Sequence, residues 1–397
     1  MPTATVRMGE DRQKSSLLVQ FAPKYNFRGF FVAEFSKTEL MQRTFSLALK
    51  GRGRTLPNPM VGAVLTKNGR IIAEGYHKGP GYPHAEIEAI GKAGKNAKGA
   101  TLYVNLEPCC HFGRTGPCTE AITEAGIKRV VYAATDPNPL VKGRGAKILK
   151  KAGIEVTNGL LSTEAARLNE VYFGLLKNER PFVTLKLAQS LDGRIATIDG
   201  DSKWISGEKS RKFAHSLRAE SGAVLVGMGT VRKDNPSLTV RHVRGKNPYR
   251  IIVSTSGDLP KSTRLISENQ DLKTILATTH MSIPKSANSR SKKMTYWTLE
   301  KAANGEIDLA DLLQKAKAFG IHSILVEGGA EIAASFLKDK LVDKLILITA
   351  PIIVGKGVDA IGDLGLKRID QAITFKDSYR FQSGPDEVFV GYPEWSK

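Results

Sequence analysis

The cysteines of this chain are concentrated in one short segment, EPCCHFGRTGPC, at residues 107–118. Upstream, the sequence PHAE places His84 two residues before Glu86. Zinc prefers thiolate and imidazole ligands, and a catalytic zinc site uses three protein ligands and leaves a fourth position open. The sequence therefore predicts a catalytic site for one zinc ion per chain, held by His84, Cys118 and one of the adjacent thiols of Cys109 and Cys110.

Glu86 supplies the second part of this chemistry. A histidine at a helix start, a glutamate two residues later and a Pro-Cys pair at the next helix start form the pattern of zinc-dependent nucleobase deaminases. In such sites the glutamate carries protons and is not a ligand. Residues i and i+2 lie about 200° apart on a regular helix, so both can face one metal only if His84 lies at the irregular first position.

Other interpretations of the cysteine segment remain open at this stage. The usual spacing in such deaminases is Cys-x-x-Cys, whereas Cys109 and Cys118 are separated by eight residues. A structural zinc site needs a fourth ligand, which His111 could supply. Three buried thiols, with no metal, are a further alternative. Neither alternative requires Glu86, which is why we favour the catalytic interpretation.

The order of local patterns predicts an α/β domain around these residues. The sequence SKTE at Ser36 is typical of a helix capping box, and Asn68-Gly69 is typical of a two-residue hairpin turn. Helical and strand-like segments then alternate along the chain, which is typical of three layers around a mixed sheet. We therefore expect an N-terminal extension at 1–35 and an α/β/α domain over 36–160.

A separate α/β pattern fills residues 181–397, after a connecting helix that we predict over 161–180. The segment ILVEGGAEIAASFL predicts a strand ending at Glu327, a Gly-Gly turn and a helix. Such a turn offers backbone N–H groups and the positive end of a helix to a phosphate. No GxGxxG sequence follows a first strand, so a Rossmann dinucleotide site is not predicted. This half is expected to bind a nucleotide.

Charge and cysteine content indicate which binding partners and which cellular compartment to expect. The net charge of +20, from 59 basic and 39 acidic residues, favours anionic partners. The excess is spread along the chain instead of forming a basic block, so we favour phosphorylated small molecules over nucleic acid. No apolar run reaches the length of a membrane span. The few cysteines predict a reducing compartment, the cytoplasm, although the extension leaves organelle targeting open.

Four segments in the first half strengthen the deaminase interpretation. NPMVGAV, GYHKGPGYPHAE, TLYVNLEPCCHFGRTGPC and DPNPLVKGRG occur in this order over residues 37–160. Together they resemble the N-terminal half of the bifunctional riboflavin-biosynthesis deaminase/reductases. The resemblance implies a cytidine-deaminase-like fold and Cys109 as the first thiolate ligand. It also implies a set of substrate-binding residues, with the pyrimidine held by Asn58, His77, Asp136 and Asn138 and the ribose phosphate approached by His111 and Arg114.

The second half resembles the reductase half of the same family through LKLAQSLDGRIA, SKWISG, LRAESGAVLVGMGTVRKDNPSLTVR and VEGG. The resemblance implies a fold similar to dihydrofolate reductase and NADPH as the hydride donor. The implied cofactor contacts are Ala188, Trp204, Thr230, Asp234, Thr255, Gly328, Gly329 and Ala330. The implied substrate contacts are Ser202, Arg218, Leu238, Arg241 and Glu327. The residue types fit this chemistry, because Arg218 and Arg241 can bind a ribose phosphate with forked hydrogen bonds, and Lys186 can stabilise the oxygen released when the sugar ring opens.

The expected function is a two-step conversion of a small phosphorylated pyrimidine. The first domain removes the 2-amino group of 2,5-diamino-6-ribosylamino-4(3H)-pyrimidinone 5′-phosphate, and the second reduces the ribosyl group to ribityl, giving 5-amino-6-ribitylamino-uracil 5′-phosphate. A homo-oligomer is expected. The alternatives are an RNA-editing deaminase with a C-terminal RNA-binding module, a structural zinc scaffold, and a protein whose second domain is inactive. Only 7% of the residues are aromatic, which does not favour the stacking surfaces of RNA-binding modules.

Overall fold

The computed structural model describes residues 35–113, 116–260, 262–279 and 294–395. The predicted extension at 1–35 lies outside the described residues except for its last residue, Phe35. Arg114 also lies outside them. In the described parts of the chain, no helix has the length and apolar character needed to cross a membrane.

The first domain is built on a five-stranded mixed sheet with helices on both faces, as predicted. Its strands are ordered β2-β1-β3-β4-β5, with β1 antiparallel to β2 and β3, and with β3, β4 and β5 parallel. Its elements, in chain order, are α1 (Lys37–Ala48), β1 (Gly62–Lys67), β2 (Arg70–Tyr76), α2 (Ala85–Ala93), β3 (Thr101–Leu106), α3 (Cys118–Glu124), β4 (Arg129–Ala134), α4 (Arg144–Lys151) and β5 (Glu155–Asn158).

Two of the predicted local signals are confirmed. Ser36 caps α1 through its hydroxyl, which accepts a hydrogen bond from the Glu39 N–H, while the Glu39 carboxylate accepts one from the Ser36 N–H. Asn68 and Gly69 both adopt positive φ angles, 50° and 73°, and close the hairpin between β1 and β2. This conformation is the one that a two-residue hairpin turn requires, so both elements follow from short-range sequence.

The connection between the domains differs from the single helix predicted over 161–180. It consists of two helices, α5 (Ser162–Leu168) and α6 (Glu170–Asn178), separated at Asn169. The Asn169 side chain bonds the backbone of Met60 instead of solvent, accepting from its N–H at 2.7 Å and donating to its carbonyl at 2.9 Å. Both helices also contribute buried side chains to the core of the first domain. The connection is therefore part of the deaminase packing, because a side chain at the break is held by a distant loop.

The second domain has a nine-stranded sheet ordered β11-β10-β9-β8-β12-β6-β13-β16-β15, and β7 pairs with β14 beside it. In this order, the first seven strands, from β11 through β13, are parallel to one another. Strands β16 and β15 extend the sheet with antiparallel pairing. Its elements are β6 (Phe182–Gln189), β7 (Arg194–Thr197), α7 (Glu208–Glu220), β8 (Ala223–Gly227), α8 (Met228–Asp234), β9 (Tyr249–Val253), α9 (Arg264–Ser267), β10 (Thr274–Thr278), β11 (Thr295–Thr298), α10 (Leu309–Ala318), β12 (Ser323–Val326), α11 (Ala330–Lys338), β13 (Lys344–Thr349), β14 (Gly357–Asp359), β15 (Thr374–Ser383) and β16 (Asp386–Glu394).

The parallel part of this sheet decides where its site lies. Strand β12 is buried along its whole length, as expected of a strand covered by helices on both faces. Strands β8 and β12 are neighbours; β8 leads directly into α8 at its carboxyl end, and β12 leads into α11 through a short turn. Ligands of open α/β sheets bind at this edge. The sequence after β12, which contains Glu327 and the Gly-Gly turn, therefore lies at the edge where a ligand is expected.

Candidate active sites

The zinc-ligand candidates come together at one end of the first sheet. His84 precedes α2 with φ −69° and ψ 160°, an extended conformation, and so occupies the irregular position that its pairing with Glu86 requires. Cys118 is the first residue of α3, and Cys109 lies in the loop that follows β3. The His84 Nδ1 atom lies 3.1 Å from Cys118 Sγ and 3.4 Å from Cys109 Sγ. Three separate segments thus deliver one imidazole and two thiols to one point.

These three side chains fit a zinc ion. Their ligand atoms all lie within 4.8 Å of one another. Zn–S and Zn–N bonds of ordinary length in a tetrahedron place the sulfur and nitrogen about 3.6 Å apart, close to the spacing in this cluster. Hydrogen bonds from Cys118 and His84 hold the pKa of Cys109 well below that of an ordinary thiol, which favours the thiolate that a metal requires.

The structure also separates Cys109 from its neighbours. Cys110 points elsewhere, with its thiol 3.4 Å from the Leu140 carbonyl oxygen. Within the described residues, His111 is not a member of the cluster formed by His84, Cys109 and Cys118. The described residues therefore do not build a structural site with four protein ligands, and they offer the three ligands of a catalytic zinc site.

Glu86 lies beside the cluster at the start of α2 and is only 4% exposed. It lines the same cavity as His84 and Cys109. Burial raises the pKa of Glu86 to about 7, and the neighbouring His84 opposes that rise. A buried carboxyl whose protonated and ionised forms are close in free energy is suited to accepting and returning a proton.

The cavity beside the cluster has a volume of about 430 Å³ and is lined by five of the six substrate-binding residues predicted for this domain; the sixth, Arg114, lies outside the described residues. Its lining includes Asn58, His77, His111, Asp136 and Asn138. His77 Nε2 lies 3.0 Å from Asn58 Nδ2, and His77 Nδ1 lies 3.1 Å from the Pro83 carbonyl oxygen. Burial lowers the pKa of His77, so its neutral ring donates to Pro83 and accepts from Asn58. This chain of contacts fixes how Asn58 presents its amide to a ligand.

Tyr172 is a cavity residue that sequence reasoning missed. Its hydroxyl donates to Asp136 Oδ1 at 2.9 Å, and the Asn138 N–H donates to the same oxygen at 2.8 Å. Because Oδ1 already accepts these two hydrogen bonds, Oδ2 is the main acceptor that Asp136 can offer to a ligand. Burial raises the pKa of Asp136 to about 6. No local signal identifies Tyr172, because it belongs to α6, which the sequence presents as a connection between domains.

A second constellation lies at the carboxyl edge of the second sheet. Glu327 follows β12 and is paired with Arg218 from α7, whose Nε lies 3.1 Å from both carboxylate oxygens and whose Nη2 lies 2.5 Å from Oε2. Lys186 on β6 is close enough to Glu327 to influence its ionisation, and the pKa of Lys186 is lowered by burial. The structure thus brings together three of the predicted substrate residues, with Arg218 paired to the Glu327 carboxylate and Lys186 within electrostatic range of both.

The predicted cofactor turn lies next to this group. A Cβ atom on Gly328 would lie 1.6 Å from Ile332 Cγ2, so the turn into α11 requires glycine at that position. A Cβ atom on Gly329 would lie 4.0 Å from Thr230 Oγ1, which places the start of α8 beside the turn after β12. Gly328, Gly329, Ala330 and Thr230 are therefore brought together. Asp234, at the last residue of α8, and Ala188, near the end of β6, are both partly buried.

The remaining predicted reductase residues are more dispersed. Trp204, an implied cofactor contact, is 69% exposed, and the Arg211 guanidinium lies 4.7 Å from its ring centre. Ser202 is partly buried in the same loop, and Thr255 is exposed after β9. Leu238 is buried and adopts a positive φ of 52°. All four residues lie in segments between helices and strands, which is why local sequence does not define their arrangement.

The last predicted substrate residue is Arg241, whose backbone is held by His215. Arg241 is exposed, and its N–H donates to His215 Nδ1 at 3.1 Å. His215 lies on α7 one turn before Arg218, and burial together with nearby cations lowers its pKa to about 4. A neutral His215 therefore holds the Arg241 backbone. Sequence reasoning missed His215, although its i, i+3 spacing from Arg218 places both on one helix face.

The fold and the two sites define the class of this protein as a zinc-dependent deaminase joined to a reductase domain. A family model described as "Cytidine and deoxycytidylate deaminase zinc-binding region" matches residues 36–134, and one described as "RibD C-terminal domain" matches residues 181–385. The riboflavin biosynthesis protein RibD of Aquifex aeolicus is 46% identical over 349 residues, which cover 88% of this chain and 96% of that protein. That of Escherichia coli K12 is 39% identical over 361 residues, covering 87% and 96%.

Two solved structures are similar over nearly the whole described chain. Acinetobacter baumannii RibD, form 1, is 36% identical with a TM-score of 0.79, and 90% of this chain and 99% of that chain are covered. The diaminohydroxyphosphoribosylaminopyrimidine deaminase/5-amino-6-(5-phosphoribosylamino)uracil reductase of Thermotoga maritima is 39% identical with the same TM-score of 0.79, covering 90% and 98%. The chain belongs to the RibD family.

Family membership confirms the expected function, fold class and cofactors. The protein is a bifunctional riboflavin-biosynthesis enzyme with a zinc-dependent deaminase domain and an NADPH-dependent reductase domain. The matched reductase domain occupies the part of the chain that the RNA-editing alternative assigned to an RNA-binding module. That alternative is therefore not favoured, and the zinc scaffold is not favoured either, because both matched domains are enzymatic.

Proposed function

We propose that the first cavity deaminates 2,5-diamino-6-ribosylamino-4(3H)-pyrimidinone 5′-phosphate and that the edge of the second sheet then reduces its ribosyl group to ribityl. The observation that carries this proposal is the buried carboxyl of Glu86 beside the cluster of His84, Cys109 and Cys118. Glu86 and this cluster adjoin a cavity of about 430 Å³ that is lined by amides, imidazoles and carboxylates. That lining offers donors and acceptors at fixed positions, which a flat and polar pyrimidine requires.

In the deaminase site, zinc held by His84, Cys109 and Cys118 supplies Lewis acidity and activates a water molecule when it is bound. Glu86 would accept a proton from the attacking water and give it to the ring nitrogen. It would then accept the remaining proton of the newly added hydroxyl group and give it to the amino group, which leaves as ammonia. Five other residues have roles that follow from their positions in the cavity: the pyrimidine edge is bound by Asn58, His77, Asp136 and Asn138, and the phosphate is approached by His111. Arg114, which lies outside the described residues, is assigned to the phosphate from the family resemblance alone.

In the reductase site, NADPH supplies the hydride for C1 of the ribosyl group when it is bound. The turn at Gly328 and Gly329, with the start of α11, binds the cofactor, together with Ala188, Trp204, Thr230, Asp234 and Thr255. Glu327 holds Arg218 through an ion pair and favours the charged form of Lys186. Lys186 then donates a proton to the ring oxygen as the sugar opens, while Ser202, Leu238 and Arg241 hold the substrate.

The ordered pair of reactions is tested by one assay on purified protein loaded with zinc. We expect the diaminopyrimidine phosphate to release one equivalent of ammonia without NADPH. Oxidation of NADPH is expected only after that release, because the reductase acts on the deaminated compound. Ammonia and NADPH are followed in the same sample. If ammonia is not released while zinc is bound, the deaminase assignment is wrong.

Arg241 is expected to bind the substrate phosphate, because it is exposed at the site edge while Arg218 is held by Glu327. Changing Arg241→Ala should raise the reductase KM for substrate roughly tenfold or more, equivalent to loss of a charged hydrogen bond of about 1.5–3 kcal/mol. Titration with NADPH should give an unchanged affinity. Arg244→Ala, an exposed arginine three residues away, serves as the matched control. An equal loss of affinity for the substrate and for NADPH would contradict the assignment of Arg241 to the phosphate.

The proposal also places the enzyme in the cytoplasm as a homo-oligomer. The three cysteines are free thiols in the structure, which suits a reducing compartment. Large apolar side chains are exposed on the reductase domain near the β7–β14 pair, among them Leu191 at 64% and Ile353 at 76%. Exposed apolar groups of this size are typical of surfaces that another chain covers.

A further inference from the structure

The interface between the two domains reaches the wall of the deaminase cavity. Asn58 and Tyr172 line that cavity and also line a second, smaller cavity of about 90 Å³. The smaller cavity is bounded on the reductase side by Glu220, the last residue of α7, which pairs with Arg52 of the first domain at 2.8 Å. Asn58 and Tyr172 therefore form a wall that the deaminase cavity shares with the cavity at the domain interface.

A buried amide holds that wall in place. Met60 lies two residues after Asn58, and both its N–H and its carbonyl bond the side chain of Asn169. The Asn105 side chain donates to the same carbonyl at 2.9 Å and accepts from the Gly62 N–H at 2.8 Å. Asn169 is 3% exposed. The position of the segment that carries Asn58 thus depends on where the break between α5 and α6 lies.

Glu170, the residue after Asn169, attaches the break between α5 and α6 to the sheet of the reductase domain. Glu170 accepts a hydrogen bond from the Lys344 ammonium at 2.7 Å and another from the Tyr392 hydroxyl. Lys344 begins β13 and Tyr392 lies in β16, so both belong to the second domain. The side chains of Lys344 and Glu170 are 7% and 18% exposed. A paired charge this deeply buried holds its partner more firmly than an exposed ion pair does.

We propose that Glu170 is a positioning residue for deamination, acting from the domain interface: its contacts with Lys344 and Tyr392 hold Asn169, and through Met60 they hold Asn58 against the pyrimidine. The reductase domain is then a structural part of the deaminase site. This inference rests on the proposed role of Asn58 in substrate binding. It concerns the KM of deamination, because Glu86 and the zinc ligands lie on other segments and the proton transfer does not involve this contact.

The test uses the full-length, zinc-loaded protein. Glu170→Gln keeps the side-chain size and removes the charge, and the deaminase KM is expected to rise roughly fivefold with kcat changed less than twofold. The reductase half-reaction, measured on the deaminated compound, is expected to be unchanged. Because Glu170→Gln leaves a buried ammonium unpaired, the double variant Glu170→Gln/Lys344→Met is included. It should recover thermal stability but keep the raised KM, since the contact between domains is still missing.

Two further variants make the result decisive. Asp377→Asn removes a more exposed pair between the domains, Arg167–Asp377 at 3.5 Å, and should leave the deaminase KM unchanged. Asn58→Ala should raise the KM at least as much as Glu170→Gln. A normal KM in the double variant, an equal rise in Asp377→Asn, or a parallel loss of reduction would each overturn the inference. An unchanged KM in Asn58→Ala would instead show that the proposed role of Asn58 is wrong.

Discussion

Changing Glu86→Gln is expected to leave one zinc ion per chain while deamination falls at least about a hundredfold, the usual effect of losing a general acid-base group. Glutamine keeps the size and the hydrogen-bonding capacity of the side chain but cannot carry a proton. The three ligand side chains come from His84, Cys109 and Cys118, so the metal should stay bound. Reduction of the deaminated compound should be nearly unchanged, because it takes place in the other domain. Zinc content and both half-reactions are measured on the same preparation.

Two controls separate the roles of ligand and proton carrier. Cys118→Ser should lose zinc as well as deamination, because it removes a ligand. Glu88→Gln changes a glutamate on the same helix that faces away from the cavity and pairs with Lys78 and Lys92, and it should retain deamination. Loss of zinc from Glu86→Gln would make Glu86 a ligand. Retained deamination would remove Glu86 from the mechanism.

Changing Lys186→Met is expected to lower the rate of reduction about a hundredfold without affecting deamination. Methionine keeps the length and apolar stem of the side chain, and the Arg218–Glu327 pair remains intact. The lost group is the ammonium that donates a proton to the sugar oxygen. NADPH oxidation with the deaminated substrate measures the effect, and NADPH affinity should stay the same.

The pH dependence of reduction gives an independent test of Lys186. Burial lowers its pKa, so the ammonium loses its proton at a lower pH than an exposed lysine does. As the pH rises through that lowered pKa, the donor disappears and reduction by the unaltered enzyme should slow. This alkaline decrease should be absent from Lys186→Met, and Lys338→Met, an exposed lysine on α11, should retain it. A variant that reduces substrate at the normal rate would show that Lys186 is not the donor.

The sequence by itself determined the features that depend on neighbours along the chain. The capping box at Ser36 and the turn at Asn68-Gly69 each require only a few adjacent residues, and both are present. The expectation that His84 precedes its helix followed from helix geometry and the position of Glu86, and the structure places it there. The alternation of strands and helices was sufficient for the α/β class. Family resemblance then supplied the names of the side chains that the cavity brings together.

Only the tertiary structure decided which distant side chains share a contact. The contacts of Asn169 with Met60 and of Arg218 with Glu327 each span 109 positions, and no local pattern connects their members. The sequence therefore presented residues 161–180 as one connecting helix, whereas Asn169 interrupts it and Tyr172 enters the deaminase cavity. Capping and turn formation are governed by backbone geometry within a few residues, so they can be predicted locally. Buried hydrogen bonds and ion pairs between separate elements form only after the elements have packed, because packing sets both their distance and their exclusion from water.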